Sequence, residues 1–165
     1  METISQFNAL SITPITLTYL CKQAYYNDFA FGDIVRGVLE TAFDVLDKEN
    51  VKAGKQKHSF LRGAIPLNKI HDDPLVKDNR NNPPRGYSCW YQKGKNAGLI
   101  DIHINLFGWY KEAIPFLVKN AHTLFNNKVF DGMEFIMATD YKGYQLFVKN
   151  AVLKPKPIQI DIDTF

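Results

Sequence analysis

At 165 residues, with 45% hydrophobic and 22% charged side chains, the chain has the makeup of one globular domain and is too apolar to be disordered. No apolar run is long enough to span a bilayer, the Met1–Gln6 start lacks the basic and apolar stretches of a signal peptide, and the two cysteines, Cys21 and Cys89, sit in no paired motif. These features fit a reducing, cytoplasmic setting without a membrane. The net charge of +3 is unevenly spread: residues 1–50 carry three basic and seven acidic side chains, residues 51–95 ten and three, and residues 96–165 seven of each.

In chain order, Ala9–Thr13 reads as a short first strand, and Pro14 opens a helix to about Tyr26, since proline is tolerated in a first helical turn. A longer helix begins at Gly32 or Asp33. Its apolar face carries Phe31, Ile34, Val35, Val38, Leu39, Ala42, Phe43 and Leu46, and Arg36, Glu40, Asp44 and Asp47 mostly take the other face. After a basic connection, Val51–Lys57, a strand is expected over Ser59–Ile65, and Pro66–Arg85 reads as a long loop rich in Asp, Asn and Pro. Tyr87–Gln92 reads as a strand, Lys93–Gly98 as a hairpin turn, and Leu99–Leu106 as a strand with Ile100, Ile102, Ile104 and Leu106 inward and Asp101, His103 and Asn105 on the opposite face.

Beyond Phe107-Gly108-Trp109 the period becomes helical through Ile114, Leu117, Val118, Ala121, Leu124 and Phe125. Met133–Thr139 reads as a buried strand. Asp140 is placed to cap a helix through Tyr141, Tyr144, Phe147, Val148 and Ala151, although Tyr144, Leu146 and Val148 also fit an alternating strand. A last strand has Ile158, Ile160 and Ile162 inward. The expected class is therefore an α/β domain with a mixed sheet, in the order strand, two helices, three strands, helix, strand, helix, strand. The helix Ile114–Phe125 should join parallel neighbouring strands.

From Gly86 to about Leu153 this order resembles the GCN5-related N-acetyltransferase superfamily, especially its divergent phage-type members. Gly86–Tyr91 looks like the family's third strand, Leu99–Leu106 like its fourth, with Ile102-His103-Ile104 similar to a Val-His segment, and the helix from Ala113 like its third helix. Leu146–Val152 is similar to a Leu-Tyr-Glu-Lys-x-Gly-Phe stretch. The resemblance implies acetyl transfer from acetyl-CoA to an amine. It places pantetheine against Ile102, Ile104 and Asn105 in a gap between the segments Ile100–Leu106 and Glu134–Ala138, and pyrophosphate near Gly108 and Lys111. In place of the family's Arg/Gln-x-x-Gly-x-Gly/Ala loop the chain has Phe107-Gly108-Trp109-Tyr110-Lys111, and Pro115 lacks an N–H near the helix start. Asp101 and His103, two apart on one strand face, are candidates for the base. The family's acidic tyrosine aligns with Phe147, one turn beyond Tyr144, which is the candidate acid.

Other constellations point elsewhere. Lys55, Lys57, Arg62, Arg85, Lys93 and Lys95 are interleaved with Phe60, Tyr87, Trp90 and Tyr91, and cations with flat aromatic faces suit single-stranded nucleic acid or another partner. A scaffold without a cofactor loop, with Trp109, Tyr110 and Trp90 exposed, would suit a protein interface, as in a phage- or plasmid-borne inhibitor of a host protein. Asp101-x-His103 supplies too few ligands for a metal-dependent nuclease, and the cysteines and histidines have no zinc spacing, so no metal is expected.

Overall fold

The computed structural model describes residues 9–21, 31–55, 58–61, 63–66, 86–93, 98–125, 133–148, 151–152 and 158–161. The elements are β1 (Ala9–Cys21), α1 (Phe31–Lys52), β2 (His58–Ser59), β3 (Gly63–Pro66), β4 (Tyr87–Lys93) and β5 (Leu99–Phe107). There follow a 3-10 helix (Gly108–Ala113), α2 (Ile114–Lys119), α3 (Ala121–Leu124), β6 (Met133–Asp140), β7 (Phe147–Val148), β8 (Ala151–Val152) and β9 (Ile158–Asp161). The protein is thus mixed α and β, as its patterning predicts, and its main sheet is antiparallel, in the order β4-β5-β1-β6 with β9 also on β1.

The largest departure is β1. The segment after Pro14 continues as strand to Cys21 instead of turning into a helix; the rest of that expected helix, to Tyr26, lies outside the described residues. The alternation Ile15, Leu17, Tyr19, Cys21 puts four buried side chains on one face, which a strand satisfies and a helix would scatter. Proline is tolerated here for a local reason. On one edge β1 pairs with β6 from Ile15 onward and with β9 up to Ile12, so Thr13 and Pro14 fall between the two ladders, where a missing N–H breaks no bond to either strand.

β1 also decides the topology. It pairs with β5 over Ile12–Leu20 and with β6 over Ile15–Cys21, both antiparallel. β5 and β6 are therefore parallel to each other, as a helical crossover requires, but they are not neighbours, because β1 lies between them. In the same way β1 and β4 flank β5. Two interleaved split β-α-β units of this kind are the ferredoxin-like arrangement.

Both helical layers cover one face of the sheet. Phe31 meets Tyr91 edge-on at 4.7 Å and Phe43 meets Tyr87 at 4.8 Å, which docks α1 on β4. Tyr19 touches Phe125 at 5.1 Å and donates to the Ala121 carbonyl at 2.5 Å, which docks α3 on β1. Burial pushes the Tyr19 hydroxyl well above its ordinary pKa, so it stays a donor. Ile100, Ile102, Ile104 and Leu106 are fully buried beneath these helices, as their alternation predicts.

Several local expectations change. The single helix over 114–125 is two short pieces, preceded by a 3-10 turn at Gly108–Ala113 and broken at Asn120, whose side chain donates to the Phe116 carbonyl at 2.8 Å. The strand over Ser59–Ile65 is a hairpin, β2–β3, that turns at Phe60 and Leu61. Asp47 is buried and not solvated. It accepts from Ser59 Oγ at 2.6 Å, from the Phe60 N–H at 2.9 Å and from the Leu61 N–H at 3.1 Å, which ties that turn to α1. The expected helix after Asp140 is a turn leading into β7–β8. Asp140 Oδ1 accepts the N–H groups of Lys142 and Tyr144, and Gly143 takes φ of 86°, a left-handed conformation that ends any helical start. Ile158 is exposed rather than inward, and the side chains of Ile160 and Ile162 lie outside those described.

Candidate nucleic-acid interface

The face of the sheet opposite the helices is built by the side chains that alternate with the core. Register places Ser88, Trp90 and Gln92 of β4 beside Asn105, His103 and Asp101 of β5. The same rows continue through Pro14, Thr16 and Thr18 of β1 to Thr139 and Met137 of β6. Among the described residues no helix packs on this face. Between Thr18 and Tyr19 the register with β6 shifts by one residue, so Ile136 is an extra residue there and both it and Met137 are exposed.

The central row is Trp90–His103–Thr16–Thr139. The Trp90 indole lies on the His103 ring, centroids 5.0 Å apart and planes 26° from parallel, and remains 46% exposed. On its other side His103 Nδ1 is hydrogen-bonded to Thr16 Oγ1 at 2.9 Å. Its Nε2 is buried with no hydrogen-bond partner among the described residues. Burial lowers the His103 pKa below its ordinary 6.5, against an upward pull from Asp101, so the ring under Trp90 is neutral at pH 7. In the next row Thr18 Oγ1 donates to Asp101 Oδ1 at 2.7 Å. On the other flank Asn105 Nδ2 donates to Ser88 Oγ at 3.4 Å.

Asp101 and His103 therefore share a face, as expected, and Trp90 joins them. Tyr144 does not: it is 69% exposed in the turn after β6 and not on a helix. The cofactor positions are also rearranged. Ile102 and Ile104 have buried side chains, and their strand is paired on both edges, with β4 and with β1. The gap expected between Ile100–Leu106 and Glu134–Ala138 is occupied by β1, so no free strand edge there is open to a pantetheine arm. Asn105 points to the open face, away from those isoleucines. Gly108 takes φ of 55° to enter a 3-10 turn of six residues, and Lys111 is exposed on that turn.

Trp109 and Tyr110 are packing residues and not an exposed interface. Tyr110 is buried and donates to the Phe60 carbonyl at 2.9 Å, and Trp109 packs on Phe60 at 4.9 Å. Of the basic positions, Lys55 is exposed just past α1 and Lys93 is exposed at the end of β4. The Phe31–Tyr91 and Phe43–Tyr87 contacts show that α1 and β4 run in opposite directions, so these two lysines sit at opposite ends of the molecule. Lys57, Arg62, Arg85 and Lys95 lie outside the described residues. Burial holds the Cys89 thiol above its ordinary pKa, so it is not an activated nucleophile. Among the described residues no group of three His, Cys, Asp or Glu side chains is placed to hold a metal ion, and no helix is long and apolar enough to cross a membrane.

Thr16, Thr18 and Gln92 also stand on this face, and sequence reasoning does not single them out: the helix expected after Pro14 takes in both threonines, although the alternation of β1 places them opposite Ile15, Leu17 and Tyr19. In comparisons with known proteins, no family model, no curated protein and no solved structure matches this chain.

Proposed function

We propose that the protein binds single-stranded nucleic acid across the open face of its sheet. The observation that carries this reading is Trp90, an indole left 46% exposed on a sheet face that no helix among the described residues covers, and backed by the ring of His103. A nucleobase has a flat apolar face and a polar edge. An aromatic side chain standing on a sheet stacks against the first, and polar neighbours such as Asp101, Gln92, Ser88 and Asn105 meet the second. Residues 51–95 carry ten basic and three acidic side chains, a balance suited to phosphates, and of these Lys93 stands exposed at the end of β4, the strand that carries Trp90. The acetyltransferase resemblance, by contrast, implies a gap between β5 and β6 for the pantetheine arm, and β1 fills that gap by pairing with both strands. For that reason acetyl-CoA serves as the comparison ligand rather than the proposed one.

The test is fluorescence anisotropy with short labelled RNA and DNA single strands at about 50 and 200 mM salt, where phosphate contacts weaken binding as salt rises. Binding that quenches tryptophan emission is expected. Trp90→Ala should weaken it by roughly tenfold, the loss of one base–aromatic stack, while leaving the melting temperature close to wild type because the indole is exposed. Acetyl-CoA should leave that temperature unchanged. Strands that fail to bind, with a melting temperature raised by acetyl-CoA, would replace this reading with acyl transfer.

A further inference from the structure

We infer that Asp101 makes the open face selective for guanine among single-stranded bases, an inference that rests on the nucleic-acid reading above. Asp101 pairs with Gln92, and His103 pairs with Trp90, so the carboxylate stands one row from the stacking platform. A diagonal neighbour on the same sheet face lies about 7–8 Å away, within reach of the edge of a base laid on the indole. The carboxylate is fixed and only half used. Thr18 Oγ1 donates to Oδ1 at 2.7 Å, and among the described residues no donor is recorded for Oδ2. Asp101 is also half-buried, which strengthens any hydrogen bond it accepts. On the opposite flank, Ser88 and Asn105 bond to one another and offer less to a ligand.

An ionised carboxylate only accepts hydrogen bonds. Guanine presents N1–H and N2–H side by side, a pair of parallel donors that matches the two oxygens of a carboxylate. Adenine and cytosine each place one amino donor next to a ring nitrogen whose lone pair the carboxylate repels. Uracil and thymine place a single N–H between two carbonyl oxygens. The base order on the Watson–Crick edge is therefore guanine first, adenine and cytosine next, and uracil or thymine last.

The experiment uses the full chain and short oligouridine strands carrying one central guanine, adenine, cytosine or uracil, with thymidine-based DNA counterparts. Wild type is expected to bind the guanine strand roughly tenfold more tightly than all-uridine, the size of one good base contact. In Asp101→Asn the preference should collapse to about twofold or less, while all-uridine affinity holds or rises because a charge that repels phosphate is gone. The wild-type series needs no variant to fold and is decisive by itself. Equal binding of all four strands, or a guanine preference that survives Asp101→Asn, overturns the selectivity and leaves the nucleic-acid reading standing. Binding of none of the strands overturns both.

Discussion

Replacing Gly86 with alanine should destabilise the protein because a neighbouring ring occupies the space a Cβ needs. A β-carbon built at Gly86 falls inside the van der Waals envelope of the Tyr110 ring, against Cγ, Cδ2 and Cε2. That ring has nowhere to go. It is 3% exposed, touches the rings of Phe43, Phe60, Tyr87 and Trp109, and is tethered by its hydroxyl to the Phe60 carbonyl. The backbone is held as well, since Gly86 accepts the Phe107 N–H at 2.7 Å. Overpacking of a filled site costs about 1–3 kcal/mol, and losing the tyrosine hydrogen bond adds about 1 kcal/mol. Reduced freedom of the unfolded chain returns about 0.4–1 kcal/mol, leaving a net loss of about 2 kcal/mol. In urea unfolding this should lower the midpoint at constant m-value. Tyr110→Ala alone should cost about 3–5 kcal/mol, yet adding Gly86→Ala to it should cost almost nothing, since the clashing ring is gone. A Gly86→Ala protein of wild-type stability, or a penalty that is the same in both backgrounds, would refute the packing argument.

Two further outcomes follow from single side chains. Asp47→Ala strips three donors of a buried carboxylate partner and should lower stability by about 3 kcal/mol in the same assay, whereas Val45→Ala, two residues earlier on the exposed face of α1, should stay within about 0.5 kcal/mol. His103 has a folded pKa below its ordinary 6.5, so the unfolded chain binds its proton first as pH falls. Its contribution is therefore fully present above that value and is lost as pH falls from it through the lower, folded pKa. The melting temperature should fall between about pH 7 and 5 in wild type, and His103→Gln should flatten that slope; an unchanged slope would count against a desolvated ring.

Some of this was legible in the sequence because the signal is local. The alternation of Ile100 to Leu106 and the helical stripe from Phe31 to Leu46 both report which side of an element is apolar, and both faces are buried. Local signals fail where two periods compete. Pro14 favoured a helix start over the alternation that follows it, and Asp140 reads equally as a helix cap or as the acceptor of a turn. What no local pattern encodes is the lateral order of strands. That β1 separates β5 from β6 depends on pairing between segments far apart in the chain, and this one fact fills the gap expected between those strands and brings Thr16 and Thr18 beside His103 and Asp101. Burial of Tyr110 and the packing of half-buried Trp109 were hidden for the same reason, since their partners Phe43 and Phe60 come from distant elements.

The central position of β1 also has a consequence during synthesis. Thr16 and His103, which meet in the finished sheet, are separated by 87 residues, so β1 leaves the ribosome long before β5 or β6 exists to cover it. In that interval a stretch from Ala9 to Cys21 with no charged side chain and five β-branched ones is a template for unwanted pairing between nascent chains. Pro14 interrupts that template at the place where the native ladder has least use for an N–H, and so acts as a gatekeeper that the mature fold carries without loss.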